Sequence, residues 1–447
     1  MGVTVIAGAG EAASGRGVHA PVSAPTTPRS GRAVRSVIED GVGYAKSRPI
    51  QSSMFSTRTA WDRAQNALAL AAAAARAAGP LLDLTETNPT AVGLGPPADF
   101  LALLADPASA SYEPEAAGWR PAREAVAKDY ARRGASVAHG AVVLTASTSE
   151  AYAHLFKVLC DPGDAVLVPR PSYPLFQFLG DLEATAIQHY PVTYDGAWHV
   201  RPSDVEAAVT GRTRAVVVVA PNNPTGAYVK KEEWRALAEF CARRDLAVIS
   251  DEVFADYPLR ADPSRLVTLA GDGPALTLCL GGLSKSCALP QLKLGWIAVG
   301  GPAALRDEAL ARLELVADTF LSVGTPIQRA APAILARVAA VQDPIRARTA
   351  ANLAVLRQAL DGSAASVLDV EGGWSAVVQV PSTRSEEEWA LFLLARERVL
   401  VHPGYFFDFA HEAHIVLSLL PHPQVFTNAV SGLRRTIDGE AEWTPAR

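Results

Sequence analysis

Between about residue 115 and residue 320, short uninterrupted apolar runs alternate with amphipathic helical patterns, and this limits the fold more than any other feature. The runs are "AVVLTA", "AVLVP", "RAVVVVAP", "LAVIS", "LTLCL" and "WIAVG". They are too short for helices and lack polar residues at every second position. Strands of that kind are buried on both faces, which predicts a mostly parallel sheet covered by helices. The intervening stretches "PAREAVAKDYARRG", "EAYAHLFKVLC", "KEEWRALAEFCARRD" and "AALRDEALARLELV" repeat apolar residues at helical spacing. Beyond about residue 330 come a long helix, "AASVLDV", "WSAVVQVP", a helix around "EEEWALFLLARE", and "HIVLSLL", a pattern expected of a smaller α+β unit. Upstream, "NALALAAAAARAAGP" predicts a helix stopped by Gly79 and Pro80. That helix is expected to pack with the smaller unit, and "PLLDLTETNPT" to form a short strand running into a loop.

The chain has 447 residues, 49% hydrophobic and 19% charged, as expected of a globular enzyme with room for two or three domains. A formal net charge of −5 with interspersed signs points away from nucleic acid and from membrane surfaces. No run of 18 apolar residues predicts a spanning helix. Cys160, Cys241, Cys279 and Cys287 lack metal-ligand spacing and read as reduced thiols of a cytoplasmic protein, so no metal site is expected.

The N-terminus begins "VTVIAGAGEAASGRG", a G-x-G-x-x-A pattern that imitates a dinucleotide fingerprint. The pattern requires a following helix and a second strand. The next residues, "VHAPVSAPTTPRSGRAVRS", supply neither. Residues 1–53 are therefore expected to be a disordered, dispensable extension, with the working protein starting near Met54.

In a parallel sheet, ligand groups gather in loops at the carboxyl ends of the strands. After "AVVLTA" come Ser147, Thr148 and Ser149 at the start of a helix, a pattern that serves equally as an N-cap or as a phosphate site. Tyr173 follows "AVLVP", where it can stack on a flat ring or simply pack. "PNNPTG" places Asn223 in a turn after a buried strand, and Asp251 ends "LAVIS", where it needs a cationic partner. Lys285 follows "LTLCL" in "GGLSKS". A lysine at a buried strand end either extends its ammonium to water or loses its charge and reacts. Pyridoxal 5′-phosphate satisfies the whole set: a phosphate, an aromatic ring, a basic ring nitrogen, a phenolic oxygen, and an aldehyde for the lysine.

The ordered series "YEPEAAGWRPAR" from 112, "TASTSEA" from 145, "DPGDAVLVPRPSYP" from 161, "PNNPTG" from 221, "DEVF" from 251 and S-K-x7-K-x-G from Ser284 resembles the class I/II aminotransferases. These are the aspartate aminotransferase-like, fold-type I pyridoxal-phosphate enzymes, and the resemblance runs from Met54 to the C-terminus. It implies a large domain with a mostly parallel, seven-stranded mixed sheet over residues 98–325. It also implies an arm and part of the small domain over 54–97, and a small C-terminal domain over 326–447. By resemblance, Lys285 would bind the cofactor as an imine and then shuttle a proton, and Asp251 would pair with the pyridine nitrogen. Asn223 would donate to the ring oxygen, Tyr173 would stack, and Ser147, Thr148, Ser149, Ser284 and Lys293 would surround the cofactor. Tyr112 would reach the phosphate of a neighbouring subunit's cofactor, which implies a homodimer with shared sites.

The expected activity moves an amino group between an amino acid or amine and a 2-oxo acid. A lyase of the C–S or decarboxylase type, and more remotely a cofactor-binding regulator, are the alternatives. Four departures bear on specificity. Lys293 stands where the family carries Arg, Phe254 where it carries Tyr, and Thr87 where it usually has Gly. Val416 occupies the place of the arginine that clamps the substrate carboxylate. Either another group, such as His402, His414, Lys293 or an Arg from elsewhere, binds that carboxylate, or the donor lacks it in the usual place. Trp374 is a candidate for the substrate pocket, against the simpler role of core packing.

Overall fold

A computed structural model describes residues 54–321 and 323–441. The expectations for residues 1–53 lie outside the described residues. The helix Ala67–Ala78 is N-capped by Asn66, whose side chain accepts from the Ala69 N–H, and it ends at Gly79. Strand β1 (Leu82–Asp83) follows.

The central sheet contains β2 (Val142–Thr145), β3 (Ala165–Arg170), β4 (Ala186–Tyr194), β5 (Trp198–Val200), β6 (Thr213–Val219), β7 (Ala247–Asp251), β8 (Thr277–Gly282) and β9 (Gly295–Gly300). Their spatial order is β2-β9-β8-β7-β6-β3-β4-β5. The pairs β8/β7, β7/β6, β6/β3 and β3/β4 are parallel, whereas β9 runs antiparallel to both β8 and β2. The six apolar runs are thus the six strands β2, β3, β6, β7, β8 and β9. The expected seven strands become eight. β4 and β5 form an antiparallel hairpin at the sheet edge, turning at Gly196 with φ +103°. β4 is largely part-exposed and mixes polar with apolar positions, so this hairpin lacks the continuous apolar signature of the six runs. Helices Arg120–Arg132, Thr148–Leu159, Lys231–Arg243 and Ala303–Phe320 match the four helical patterns, and the sheet separates two apolar cores.

A second sheet follows the long helix Ala339–Ala359. It contains β10 (Ser366–Val367) and β11 (Ser375–Gln379); then β12 (Val399–Leu400) pairs with β1, and β13 (His402–Pro403) and β14 (His414–Ser418) complete the sheet in the order β10-β11-β14-β13. The early helix packs on the helix Glu386–Glu397, as expected. Arg398 fastens this arrangement by donating to the carbonyls of Pro80 at 2.9 Å and Ala75 at 2.8 Å.

Register places the carboxyl ends of β2, β7 and β8 at one edge. Thr145 and Gly282 both lie opposite Gly295, and Asp251 lies opposite Leu280. Close approach demands glycine there. A Cβ on Gly281 would come within 2.5 Å of Trp296 Nε1, in an indole only 1% exposed. Gly281→Ala should therefore cost about 1–3 kcal/mol by overpacking. Urea unfolding measures this, and an unchanged midpoint would show that the strand pair has slack.

Candidate active site

The loops that leave this edge hold the chemistry. Lys285 lies in a four-residue helical turn, Leu283–Ser286, directly after β8. Its side chain is half-buried, with Nζ 5.6 Å from the ring centre of Phe254 and 5.4 Å from that of Trp374. The turn is fixed from both sides: the Tyr257 hydroxyl donates to the Lys285 carbonyl at 2.6 Å, and the Ser286 hydroxyl donates to the Gly282 carbonyl at 2.9 Å.

Asp251 ends the neighbouring strand β7. Its Oδ2 accepts from the Tyr152 hydroxyl at 3.0 Å and its Oδ1 from the Val253 N–H at 3.2 Å. Burial nevertheless pushes its carboxyl up to about 6; the two hydrogen bonds and the Lys285 charge oppose this, and Glu252 adds to it. A carboxylate held this way gains from a cation brought against it. A protonated pyridine nitrogen meets that demand, so the residues present fit pyridoxal phosphate.

Ser147 caps the helix Thr148–Leu159, its hydroxyl oxygen accepting from the Glu150 N–H at 3.1 Å. The two roles proposed for this turn are compatible, because a capping hydroxyl still has a proton to donate. Thr148 and Ser149 are half-buried in the same first turn, where backbone N–H groups and the helix dipole favour an anion. The two asparagines of "PNNPTG" divide the work. Asn222 is buried and spent on structure, bonding Thr225 and the Pro171 carbonyl. Asn223 is half-buried, and its Oδ1 accepts from the Ser375 hydroxyl at 3.4 Å. Tyr173 is half-buried in the loop after β3, and Ser284 in the turn before Lys285. Lys293 is exposed just before β9, in the left-handed region with φ +55°.

Trp374 is 2% exposed and packs edge-on against Phe254 at 5.1 Å and Tyr257 at 5.0 Å. Core packing and contact with Lys285 thus coexist in one side chain. Val416 is 1% exposed, opposite Val377 on one side and His402 on the other. Directly paired residues share a sheet face. Val416, Val377, Ser375 and Ser418 therefore line the face whose Ser375 touches Asn223.

Neither candidate histidine supplies a cation to this face. Burial lowers His402 to about 4, and its ring lies against Phe406 and Phe407. His414 is likewise lowered by burial and stacks on Phe409 at 4.7 Å. Thr87 is exposed in the loop after β1, and Tyr112 is 69% exposed. Sequence reasoning missed Tyr152, which reads as a core aromatic in a helix; only its helical position beside the end of β7 reveals its partner. No group of His, Cys, Asp and Glu that could hold a metal occurs among the described residues.

Asp251 makes a test that needs no cofactor. Below the ordinary aspartate value of 3.8, its carboxyl is protonated whether the chain is folded or not. Between 3.8 and about 6 only the folded chain retains the proton, so stability falls as pH rises through that window and stays lower above it. The size is roughly 2–3 kcal/mol. Asp251→Asn should abolish that fall in urea unfolding of the cofactor-free protein. An identical pH profile for both proteins would contradict the burial cost.

A family model described as "Aminotransferase class I and II" matches residues 114–425. The glutamate-pyruvate aminotransferase AlaA of Haemophilus influenzae is 27% identical over 365 residues, covering 79% of this chain and 90% of the relative. The arginine–pyruvate transaminase AruH of Pseudomonas aeruginosa is 32% identical over 311 residues, covering 68% and 76%. Among solved structures, an alanine aminotransferase from Pyrococcus furiosus superposes with a TM-score of 0.77 at 22% identity, over 86% of this chain and 100% of the other. A Thermus thermophilus aspartate aminotransferase gives 0.74 at 23%, over 85% and 99%. The motif order, the sheet and these relatives agree: the chain belongs to the class I and II aminotransferases.

Proposed function

We propose that Lys285 and Asp251 carry the chemistry of this enzyme and that pyruvate is its 2-oxo acid acceptor. The protein is a pyridoxal-phosphate-dependent aminotransferase. The observation that carries the proposal is the delivery of Asp251 and Lys285 by adjacent parallel strands to one edge of the sheet. When bound, pyridoxal phosphate supplies an aldehyde conjugated to an electron-withdrawing pyridinium ring.

Lys285 Nζ holds the cofactor and later takes the proton from the donor's α-carbon. Asp251 keeps a proton on the ring nitrogen, and Tyr152 fixes the orientation of its carboxylate. Asn223 donates to the ring oxygen. Phe254, standing where the family tyrosine does, contributes a ring but no hydroxyl. Ser147, Thr148, Ser149, Ser284 and Lys293 bind the phosphate edge, and Tyr173 covers the ring. Trp374 and Phe254 wall the space beside Lys285 and keep water from its amine.

The exposed Tyr112 reaches the neighbouring subunit's cofactor in a homodimer with shared sites. Residues 98–325 form the cofactor domain, and 326–447 with part of 54–97 the smaller one. Thr87 borders the substrate entrance, and Val416 contributes an apolar surface to the donor pocket. The AlaA and AruH names both carry pyruvate, which supports pyruvate as the 2-oxo acid acceptor here. Free thiols at Cys241, Cys279 and Cys287 are in keeping with a reducing cytoplasm. Among the described residues, no helix is long and apolar enough to cross a membrane.

Lys285→Ala should fold, lose the visible absorption of covalently held cofactor, and lose turnover by about 10²–10⁴-fold or more. Wild-type turnover in that variant would remove Lys285 from its assigned role.

A further inference from the structure

We propose that Glu371 is a positioning residue for Lys285, clamping together the three segments that surround the lysine. The proposal rests on Lys285 being the cofactor-bearing residue. Glu371 is 1% exposed, two residues before the Gly373–Trp374 step into β11. Its carboxylate takes the Lys230 ammonium on both oxygens, the Tyr228 N–H at 2.9 Å and Arg260 Nη2 at 3.1 Å. Asp369 holds the same Arg260 nitrogen at 2.9 Å. A carboxylate this deep is tolerable because every lone-pair direction has a cation or an N–H against it.

The partners come from segments that bear site residues. Tyr228 and Lys230 follow the turn that carries Asn223. Arg260 follows Phe254 and Tyr257, which touch Trp374, and Tyr257 also holds the Lys285 carbonyl. Glu371 itself leads into Trp374. Backbone bonds repeat the connection: the Leu259 N–H donates to the Glu371 carbonyl and the Gly373 N–H to the Tyr257 carbonyl, each at 2.9 Å. The contact has no slack. A Cβ on Gly372 would lie 2.6 Å from the Tyr228 ring, and one on Gly226, at φ +75°, 2.6 Å from the Gly372 carbonyl oxygen.

Glu371 touches none of the reacting groups, so its influence passes through Trp374, Tyr257 and the Asn223 turn. Removing its charge loosens those three together. A small displacement of a positioned base costs up to about 100-fold in rate.

The test uses the full-length, cofactor-loaded protein carrying Glu371→Gln. Three quantities are read: the thermal midpoint, the pH midpoint of the visible absorption band, and kcat and KM for an accepted donor. The expected result is a folded protein with a shifted band midpoint and kcat lower by about 10- to 100-fold, with KM changed far less. A folded variant with the wild-type band midpoint and kcat would overturn the proposal. So would a kcat loss that only tracks the fraction unfolded. Should Glu371→Gln not fold, Arg260→Met decides by the same criteria, because it removes a partner whose side chain is 43% exposed. Lys285→Ala, measured alongside, separates the two levels. A retained band there overturns the assignment of Lys285, whereas a lost band with an unaffected Glu371→Gln overturns the clamp alone.

Discussion

A carboxylate at the inner end of a buried strand has to be compensated, and the site is arranged around that requirement at Asp251. Its two hydrogen bonds, from Tyr152 and the Val253 N–H, do not offset burial, and its carboxyl stays near 6. Lys285, which β8 delivers in register to the same edge, opposes the effect of burial only in part, so a further cation against the carboxylate is favourable. On the other side of β8, Gly281 and Gly282 lie opposite Trp296 and Gly295 of β9 and let the two strands approach closely where the turn begins. Fold and chemistry therefore meet in one register: a shift of one residue would turn Asp251 to the other face.

The second sheet contributes a different kind of surface. The face that meets Asn223 carries the hydroxyls of Ser375 and Ser418 and the methyls of Val377 and Val416. The Ser418 hydroxyl is already committed to the Glu86 carbonyl at 2.6 Å. With His402 and His414 both held neutral by burial, this face has no positive charge to offer a carboxylate. In the proposed reading a donor carboxylate then meets a cation from elsewhere, and Lys293 lies exposed just before β9. The alternative is a donor without a carboxylate at that point. In the proposed reading, Val416 in place of the family arginine bears on which donors the enzyme accepts.

The central sheet was legible because its inner strands are buried on both faces. "RAVVVVAP" and "LTLCL" have no polar alternation to hide them. The hairpin of β4 and β5 was not legible, since "AIQHYPVTY" mixes apolar and polar positions and is largely part-exposed. Lys285, Asp251 and Asn223 stood out because polar groups at the ends of apolar runs are costly unless used. Tyr152 and Glu371 did not stand out. A tyrosine within an amphipathic helix looks like core, and a glutamate before two glycines looks like a turn. Their roles depend on partners 99 and 141 residues away, at Asp251 and Lys230, which only the folded chain brings near.

A single half-reaction separates transamination from lyase chemistry on this fold. The cofactor-loaded protein is mixed with one amino donor at a time, without any 2-oxo acid, while visible absorption, 2-oxo acid and free ammonia are followed. An accepted donor should remove the visible band and yield one equivalent of its own 2-oxo acid per site, without ammonia, and pyruvate should restore the band. Continued consumption of donor with an undiminished band and release of ammonia, thiol or carbon dioxide would contradict transamination and make the protein a lyase on the same fold.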